Sequence, residues 1–344
     1  MRLRSLPHAL LAGLCGLLLL PALAAAPATA ADNGTWGVFP TPAPGAASAE
    51  RADFFHQGAA GTTVTDSVTL LNSSDKELTF QVFATDAVNT PVGGAFALLP
   101  VETKPQDVGT WVALGPQAAG TVTVPARGRL DIPFTVKVPA DATPGDHVGG
   151  IVALNTEVEG VQQQGKVQVG VKRSVGARLY FRVPGPVTPG LSVENIRINR
   201  SAPALPWLRE AHATITYTLV NRGNVVIDPK VTITAEGLFG RRVLNHPSRE
   251  LKLTLMPGRR IELSEPWPDA PQADWVTVSV TAAATAHPDL AARGETDFLA
   301  IPWPALGALV LLTGAATATW VLRRRSRPSP PEHQHPAPDL ATSR

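Results

Sequence analysis

The sequence has 344 residues and only one cysteine, Cys15, which lies in an apolar segment close to the first residue. We interpret that segment below as a cleaved secretion signal, so the mature chain contains no cysteine. Disulfide bonds therefore cannot stabilise it, and a catalytic thiol is excluded. The motifs G-x-S-x-G, H-E-x-x-H and C-x-x-C are absent as well, and these are signatures of nucleophilic catalysis and metal binding. We expect a protein that is not an enzyme, with no catalytic residue, metal ligand or cofactor.

A strong net charge is also missing from most of the chain. Two of the 30 Lys and Arg residues lie in the apparent signal and five lie after residue 322, where two of the 28 Asp and Glu residues also lie. The part between them therefore carries a net charge of about −3. No basic surface for nucleic acid is predicted.

The two ends of the chain carry targeting signals. Arg2 and Arg4 precede an apolar run at residues 9–20 and small residues at 28–31, which predicts a signal peptide at residues 1–31. An uncleaved membrane anchor is the alternative. Residues 299–322 contain no charged residue and are followed by three arginines, 323–325.

Twenty-four uncharged residues are enough to cross a bilayer, and arginines after the stretch favour a cytoplasmic position for that end. We expect a single-pass type I membrane protein whose residues 32–298 lie outside the cell and whose basic, proline-rich tail, 323–344, lies inside. The alternative for 299–322 is a buried core helix, which would carry a polar face.

Between these ends, apolar and polar residues alternate with a period of two, and no helical period competes with that pattern. Short alternating runs separated by Gly, Pro, Asn and Asp predict antiparallel strands of an immunoglobulin-like β-sandwich. In the first half the runs are residues 63–70, 77–85, 120–124, 129–138, 149–158 and 167–183; in the second half they are 191–198, 211–221, 225–235, 249–255, 260–267, 276–282 and 295–299.

A stretch rich in proline and glycine separates the two sets of strands. The sequence therefore predicts an all-β fold of two tandem immunoglobulin-like sandwiches, 32–184 and 191–298, joined by a linker at 185–190 with few contacts of its own and followed by a single transmembrane helix at 299–322. The strand ending at Asn72 is similar to the strand ending at Asn221, and both halves have a Pro/Gly turn before a later strand. A duplication of one sandwich would explain these similarities.

Three segments of the first half, at residues 36–40, 138–151 and 173–180, resemble the peptidoglycan-binding domain of the WxL-interacting proteins, a family of bacterial cell-surface proteins. The family's layout of signal peptide, two immunoglobulin-like domains, one span and a short basic tail is also similar. The resemblance implies that the first domain binds peptidoglycan and that the second binds another cell-surface protein. In the family, that partner is a protein with a WxL wall-binding domain. Within 138–151, Pro144 and Gly145 also predict a tight turn between strands.

Residues 167–183 offer the best predicted ligand surface. Arg178, Tyr180 and Arg182 share one face of a strand while Leu179, Phe181 and Val183 share the other. With Arg173 they form the predicted ligand-binding set, because arginine forks bind carboxylates and aromatic rings stack on sugars. The alternative is a solvated outer face. The adjacent pair Asp146 and His147 would face opposite sides of its strand and, at a turn position, would be solvated. Both expectations argue against an acid-base or metal role.

The second half contains residue types that dominate protein interfaces, namely Trp207, Trp267 and Trp275 and the pairs Arg241–Arg242 and Arg259–Arg260. Core packing of the tryptophans and solvated turns for the arginines are the alternatives.

We therefore expect a non-enzymatic, membrane-anchored bacterial surface protein that binds peptidoglycan and a surface protein. The alternative function is a structural spacer or chaperone-like immunoglobulin module without glycan binding.

Overall fold

The computed structural model describes residues 34–42, 51–158, 160–164, 167–201, 203 and 209–325. The predicted signal peptide, Trp207 and the tail beyond Arg325 lie outside the described residues. The described chain is two β-sandwiches in succession and one C-terminal helix, so the predicted fold class is confirmed.

The first sandwich is built from two antiparallel layers that enclose one core. In the first layer the strand order is β1-β3-β8-β6. In the second it is β2-β12-β9-β4-β5, with β7 also paired to β4 and β2 running parallel to β12. The strands are β1 (Trp36–Pro40), β2 (Phe54–Gln57), β3 (Thr63–Asn72), β4 (Leu78–Asn89), β5 (Phe96–Leu98), β6 (Val112–Leu114), β7 (Thr121–Val124), β8 (Arg129–Lys137), β9 (Gly145–Asn155) and β12 (Ser174–Val183).

A two-stranded ribbon, β10 (Gly160–Gln164) and β11 (Val167–Val171), prolongs β9 and β12, and a single helical turn, α1 (Val108–Trp111), precedes β6. The core follows the alternation of the sequence. Leu179, Phe181 and Val183 of β12 are buried as predicted. Between the layers, the ring centres of Trp36 and Phe80 lie 4.6 Å apart.

The second sandwich has a three-stranded layer, β13-β14-β17, and a four-stranded layer, β16-β15-β18-β19. Trp267 and Tyr217 fill its centre, so Trp267 is a core residue. The strands are β13 (Leu191–Ser201), β14 (His212–Asn221), β15 (Pro229–Glu236), β16 (Arg242–Glu250), β17 (Arg260–Trp267), β18 (Asp274–Ala284) and β19 (Ala291–Ala300).

Several predicted strand boundaries were wrong. The run 167–183 is two strands, because Lys172 and Arg173 lie outside the ladder. The run 249–255 is mostly loop, whereas β16 forms at Arg242–Glu250, where charged and polar residues hide the alternation. The strands β1, β2, β5, β6 and β10 were not predicted, because none of them alternates apolar and polar residues.

The C-terminal helix, α2 (Trp303–Arg325), is the one helix among the described residues that is long and apolar enough to cross a membrane, and none of its residues is buried. The predicted boundary at 299 is corrected, because Leu299 and Ala300 end β19 and the helix starts after Pro302. Proline suits the beginning of a helix because its nitrogen has no hydrogen to donate. Arg323, Arg324 and Arg325 form the last helical turn.

The repeated asparagines have the same role in both sandwiches. Asn72 and Asn221 are fully buried. The Asn72 side chain donates to the carbonyls of Lys76 and Val124 and accepts from the Ser74 N–H. The Asn221 side chain likewise donates to the carbonyls of Val225 and Leu255 and accepts from the Gly223 N–H. The bonds to residues two and four positions further on have the same spacing in both domains, whereas the third acceptor lies 52 positions after Asn72 and 34 after Asn221. The two matching bonds agree with the predicted duplication.

The two sandwiches are also bonded to each other. The backbone of Pro91 and Gly93, in the loop after β4, pairs with Glu262 of β17, with N···O distances of 2.7 and 2.9 Å. The buried Asn89 side chain donates to Thr254 O at 2.8 Å and accepts from Met256 N at 2.9 Å. The first domain thus covers part of a sheet edge of the second.

The segment between the sandwiches makes more contacts than its composition predicts. The Asn224 side chain donates to the carbonyls of Pro144 and Pro186 at 2.9 Å each and accepts from the Thr188 N–H at 2.8 Å. The expectation that the linker makes few contacts is wrong, because one asparagine of the second domain binds both the linker and the first domain.

Replacing Asn72 or Asn221 by alanine should lower the free energy of unfolding by about 1–3 kcal/mol in each case, because each change leaves buried backbone groups without partners. Urea denaturation would measure the loss. The matched control is Asn245→Ala at an exposed position in β16, which should change little. A much larger loss at only one of the two buried sites would show that their roles are not equivalent.

Candidate functional site

The predicted ligand-binding face of β12 lies in a cleft between the two sandwiches. Tyr180 packs against a small buried cluster formed by Ala87 and Val148 of the first domain and Met256 of the second, and Val226 packs against the same cluster. On one side of Tyr180 is a concavity of about 380 Å³ that includes Phe55. On the other is a larger one of about 600 Å³, lined by Phe96, Arg178, Asp228, Glu250, Lys252 and other residues. Burial raises the pKa of the Tyr180 phenol.

Arg182 is held by an ion pair at the domain boundary. Its Nε and Nη2 donate to the two carboxylate oxygens of Asp146 at 2.6 and 2.7 Å. The Asp146 carboxylate also accepts from the backbone N–H of Val226 in the second domain at 2.9 Å. Asp146 is nearly buried whereas Arg182 is half exposed. The fork that was predicted to hold a ligand carboxylate therefore holds one from this chain.

Arg178 has partners within the chain as well. Its guanidinium lies over the Phe96 ring, 4.5 Å from the ring centre. Asp53 is close by, and burial raises the pKa of Asp53 although Arg178 acts to lower it. Arg173 lies between β11 and β12, where its carbonyl accepts from Asn155 N at 3.0 Å. The structure thus brings Arg178, Tyr180 and Arg182 into one cleft and leaves Arg173 near the other end of β12.

The edge of β12 has two parts. From Leu179 to Arg182 it pairs with β2, where Phe55 stacks on Tyr180 with ring centres 5.0 Å apart and planes 7° apart. From Ser174 to Ala177 no described strand pairs with it on that side, and β11 pairs with β10 alone. The edge of the sheet is therefore covered over only part of its length.

The backbone groups that this open part presents follow from the ladder. The Arg178 N–H bonds to the Asp53 carboxylate and so points away from β9. In an antiparallel pair this direction recurs at every second residue. The N–H and C=O of Ser174 and Gly176 therefore also point outward, while those of Val175 and Ala177 face β9.

His147 and Asp146 have separate partners, as the alternation of a strand requires. The two ring nitrogens of His147 lie 2.7 Å from an Asp107 carboxylate oxygen and 2.9 Å from the Thr143 carbonyl, and the ring packs against Trp111. Burial acts to lower the pKa of His147, but these hydrogen bonds and the nearby charges of Asp107 and Asp146 raise it above its ordinary value. The side chains of Asp146 and His147 are both mostly buried in β9, so the expectation that they are solvated is wrong. His147 is a structural residue beside the domain boundary.

Neither the cleft nor any other described part of the chain brings together three or more His, Cys, Asp or Glu side chains that could hold a metal ion. The described site is a surface of aromatic rings, paired charges and an open strand edge. Such a surface can bind a chain or a ring but contains no arranged nucleophile and base.

No family model matches the chain, and no curated protein matches it in sequence. In overall fold it is similar to a chaperone-tip adhesion subunit pre-assembly complex from the Csu pili of Acinetobacter baumannii, at 9% identity over 78% of this chain and 98% of that chain with a TM-score of 0.34. It is also similar to the class 5 fimbriae chaperone CfaA (11% identity, 76% and 99%, TM-score 0.33) and to the Pseudomonas aeruginosa CupB2 chaperone (11%, 72% and 96%, 0.30). These values support no conclusion about function.

Sequence reasoning missed the second-domain half of this site. Val226, Met256 and Asn224 carry no chemical motif, and only the pairing of the domains brings them to β12.

Gly145 was indicated by the sequence, as part of a predicted tight turn. Its φ of 132° and the 2.2 Å that would separate an added Cβ from Asn224 O explain why glycine stands there: a turn is needed, and the second domain approaches closely.

Arg182→Gln should lower the free energy of unfolding by about 1–3 kcal/mol, because the nearly buried Asp146 would lose two charge-assisted hydrogen bonds. The matched control is Arg129→Gln, since Arg129 pairs with the more exposed Asp131 on the surface, and its loss should matter little. Equal effects of the two changes in urea denaturation would contradict a structural role for Arg182 at the boundary.

The raised pKa of His147 predicts a pH-dependent stability. The protonated ring can donate from both nitrogens, so its contribution is fully present below about pH 6.5, the ordinary histidine pKa, and is lost as the pH rises through the higher pKa of the folded state. Thermal unfolding across this range should show the wild type losing its advantage over His147→Gln as the pH rises. A difference between the two proteins that does not change with pH would exclude this linkage.

Proposed function

We propose that this protein is a membrane-anchored, non-enzymatic binding module whose first sandwich takes up an extended segment of a protein partner along the open edge of β11 and β12. The observation that carries the proposal is the row of outward backbone groups at Ser174 and Gly176. This function corresponds to the chaperone-like immunoglobulin module named as the alternative from the sequence.

The open edge of β11 and β12 is protected at one point only, the charged pair Lys172 and Arg173 between the two strands. Natural proteins protect exposed edges with charges, prolines and bulges. The edge strand β16 has all three, with Arg242, Arg249, Pro247 and two register shifts against β15. By contrast, residues 167–171 and 174–177, on either side of Lys172 and Arg173, contain no charge and no proline. An edge with uncharged segments of this kind favours β-strand addition, in which main-chain hydrogen bonds supply the affinity.

The side chains next to the edge can contribute specificity. A strand added beside residues 174–177 would run toward β2 and the cleft, where Phe55 is 72% exposed. The Phe55 and Tyr180 rings stack, so an exposed aromatic surface lies at the end of the open edge. Aromatic side chains of this kind are frequent energetic centres of protein interfaces.

The helix α2 supports membrane anchoring. Trp303 and Trp320 lie 17 positions apart in it, which is about 25 Å along a helix axis and close to the thickness of the hydrocarbon layer. Tryptophan is enriched at both interfaces of a bilayer. The Arg324 guanidinium lies over the Trp320 ring at 5.2 Å. With the arginines on the cytoplasmic side, both sandwiches lie outside the cell.

Peptidoglycan binding and a WxL-type partner stay predictions from the resemblance. The charged forks on which the glycan prediction rested are engaged within the chain, since Arg182 binds Asp146 and Arg178 lies over Phe96. Sedimentation of the full chain in detergent with insoluble cell wall tests that prediction separately from strand addition.

The direction of the backbone groups gives a direct test. In the isolated protein, the amides of Ser174 and Gly176 should exchange hydrogen rapidly, because their N–H groups point away from β9. The amides of Val175 and Ala177 should exchange slowly, because they donate hydrogen bonds to β9. Exchange measured by NMR on the full chain in detergent micelles would resolve the four amides. Slow exchange at Ser174 and Gly176 in the isolated protein would remove the basis of the proposal.

Partner binding is tested on intact cells. A photo-crosslinking side chain at Lys172 should capture one defined protein, and Ser174→Pro should abolish that capture, because proline removes an outward donor while it leaves the ladder to β9 in place. A cross-linker at exposed Gln117, away from this edge, is the control. Capture that persists in Ser174→Pro at the wild-type yield would contradict strand addition.

A further inference from the structure

An exposed apolar surface lies at the end of the second sandwich from which the helix emerges. Its residues, which we call the apolar cap, are Leu238, Phe239, Trp275 and Leu299. Phe239 is fully exposed, and each of the other three is about half exposed. Trp275 and Leu299 are cross-strand partners on β18 and β19, and Leu238 lines the same concavity as Trp275. Four neighbouring apolar side chains in water indicate a binding surface.

The loop that presents Phe239 has a fixed shape. The nearly buried Asp274 carboxylate accepts from the Leu238 N–H at 3.0 Å and from the Arg241 guanidinium at 2.7 Å. The Gly237 N–H donates to the Arg241 carbonyl at 2.8 Å. Phe239 has a φ of 61°, which is costly for a bulky residue. The backbone is therefore held in a strained turn that points a large apolar ring outward.

The apolar cap lies close to the start of α2. Only Ile301 and Pro302 separate Ala300, the end of β19, from Trp303, and three steps along the chain span at most about 11 Å. The loop with Phe239 follows β15, which lies two strands from β19 in the sheet, or about 10 Å. The cap must therefore lie close to the point where α2 enters the bilayer.

We propose that the apolar cap inserts into the interfacial layer of the bilayer around α2 and holds the second sandwich against the membrane surface. This inference rests on the membrane anchoring given under the proposed function. Arg241 and Arg242, both exposed, follow Phe239 by two and three positions in the chain. An aromatic side chain with arginines close after it matches the acyl-chain boundary and the anionic headgroups of a lipid surface.

The test uses fluorescence of the full chain in nanodiscs of phosphatidylcholine and phosphatidylglycerol. In a Cys15→Ser background, Phe239→Cys supplies a single thiol for an environment-sensitive dye. The dye should emit at shorter wavelength than in water and should be quenched by lipids that carry a nitroxide in the upper acyl chain. The control is Ala286→Cys, in the turn at the opposite end of the β18–β19 hairpin, where neither effect is expected.

A third label separates the failure of this inference from failure of the anchor. Ala316→Cys lies within α2, and its dye should be quenched by nitroxides deep in the bilayer. Quenching at 316 without quenching at 239 would overturn the membrane contact of the cap and leave the anchor in place. No quenching at either position would contradict both. A shorter-wavelength emission at 239 that lipid nitroxides do not quench would show that protein covers the cap, and would overturn the proposal.

A charge variant gives an independent measurement. Arg241 also binds Asp274, so Arg242→Glu is the change that spares the fold of the loop. It should reduce nitroxide quenching of the dye at 239 in nanodiscs that contain phosphatidylglycerol, because the reversed charge is repelled by the anionic headgroups. Quenching that is the same with and without phosphatidylglycerol, and the same in Arg242→Glu, would overturn the contribution of headgroup charge.

Discussion

The carboxylate of Asp146 is the interaction on which the arrangement of the two sandwiches depends. It binds the Arg182 guanidinium with both oxygens and accepts a backbone hydrogen bond from Val226 of the second domain. A nearly buried carboxylate is stable only when it is paired, so these contacts fix β9, β12 and the second domain together. Gly145 permits this approach, since any side chain there would collide with Asn224.

This arrangement determines which part of the first sheet stays accessible. One half of the face of β12 is enclosed by Met256 and Val226, and the backbone after β4 pairs with the edge of β17. The edge from Ser174 to Ala177 lies beyond the end of β2, and no other strand of the described residues covers it.

The sequence by itself determined the class of fold and the chain's general plan. Period-two alternation makes one face of each strand apolar, so the alternation alone assigned Leu179, Phe181 and Val183 to the core. A long uncharged stretch identified the helix to within a few residues, and the shared pattern around Asn72 and Asn221 recurs in the structure as matching local hydrogen bonds. These properties are local, because they depend on residues close together in the chain.

Only the tertiary structure decided what the charged and polar side chains bind. Arg182 faces outward from its strand, as predicted, but its partner Asp146 is 36 positions away in the sequence. Asn89 bonds to residues more than 160 positions away. Alternation defines the side of a strand on which a residue lies and gives no information about what lies opposite. The open edge of β12 likewise depends on where β2 ends beside it, since the sequence of a strand does not state its neighbours in the sheet.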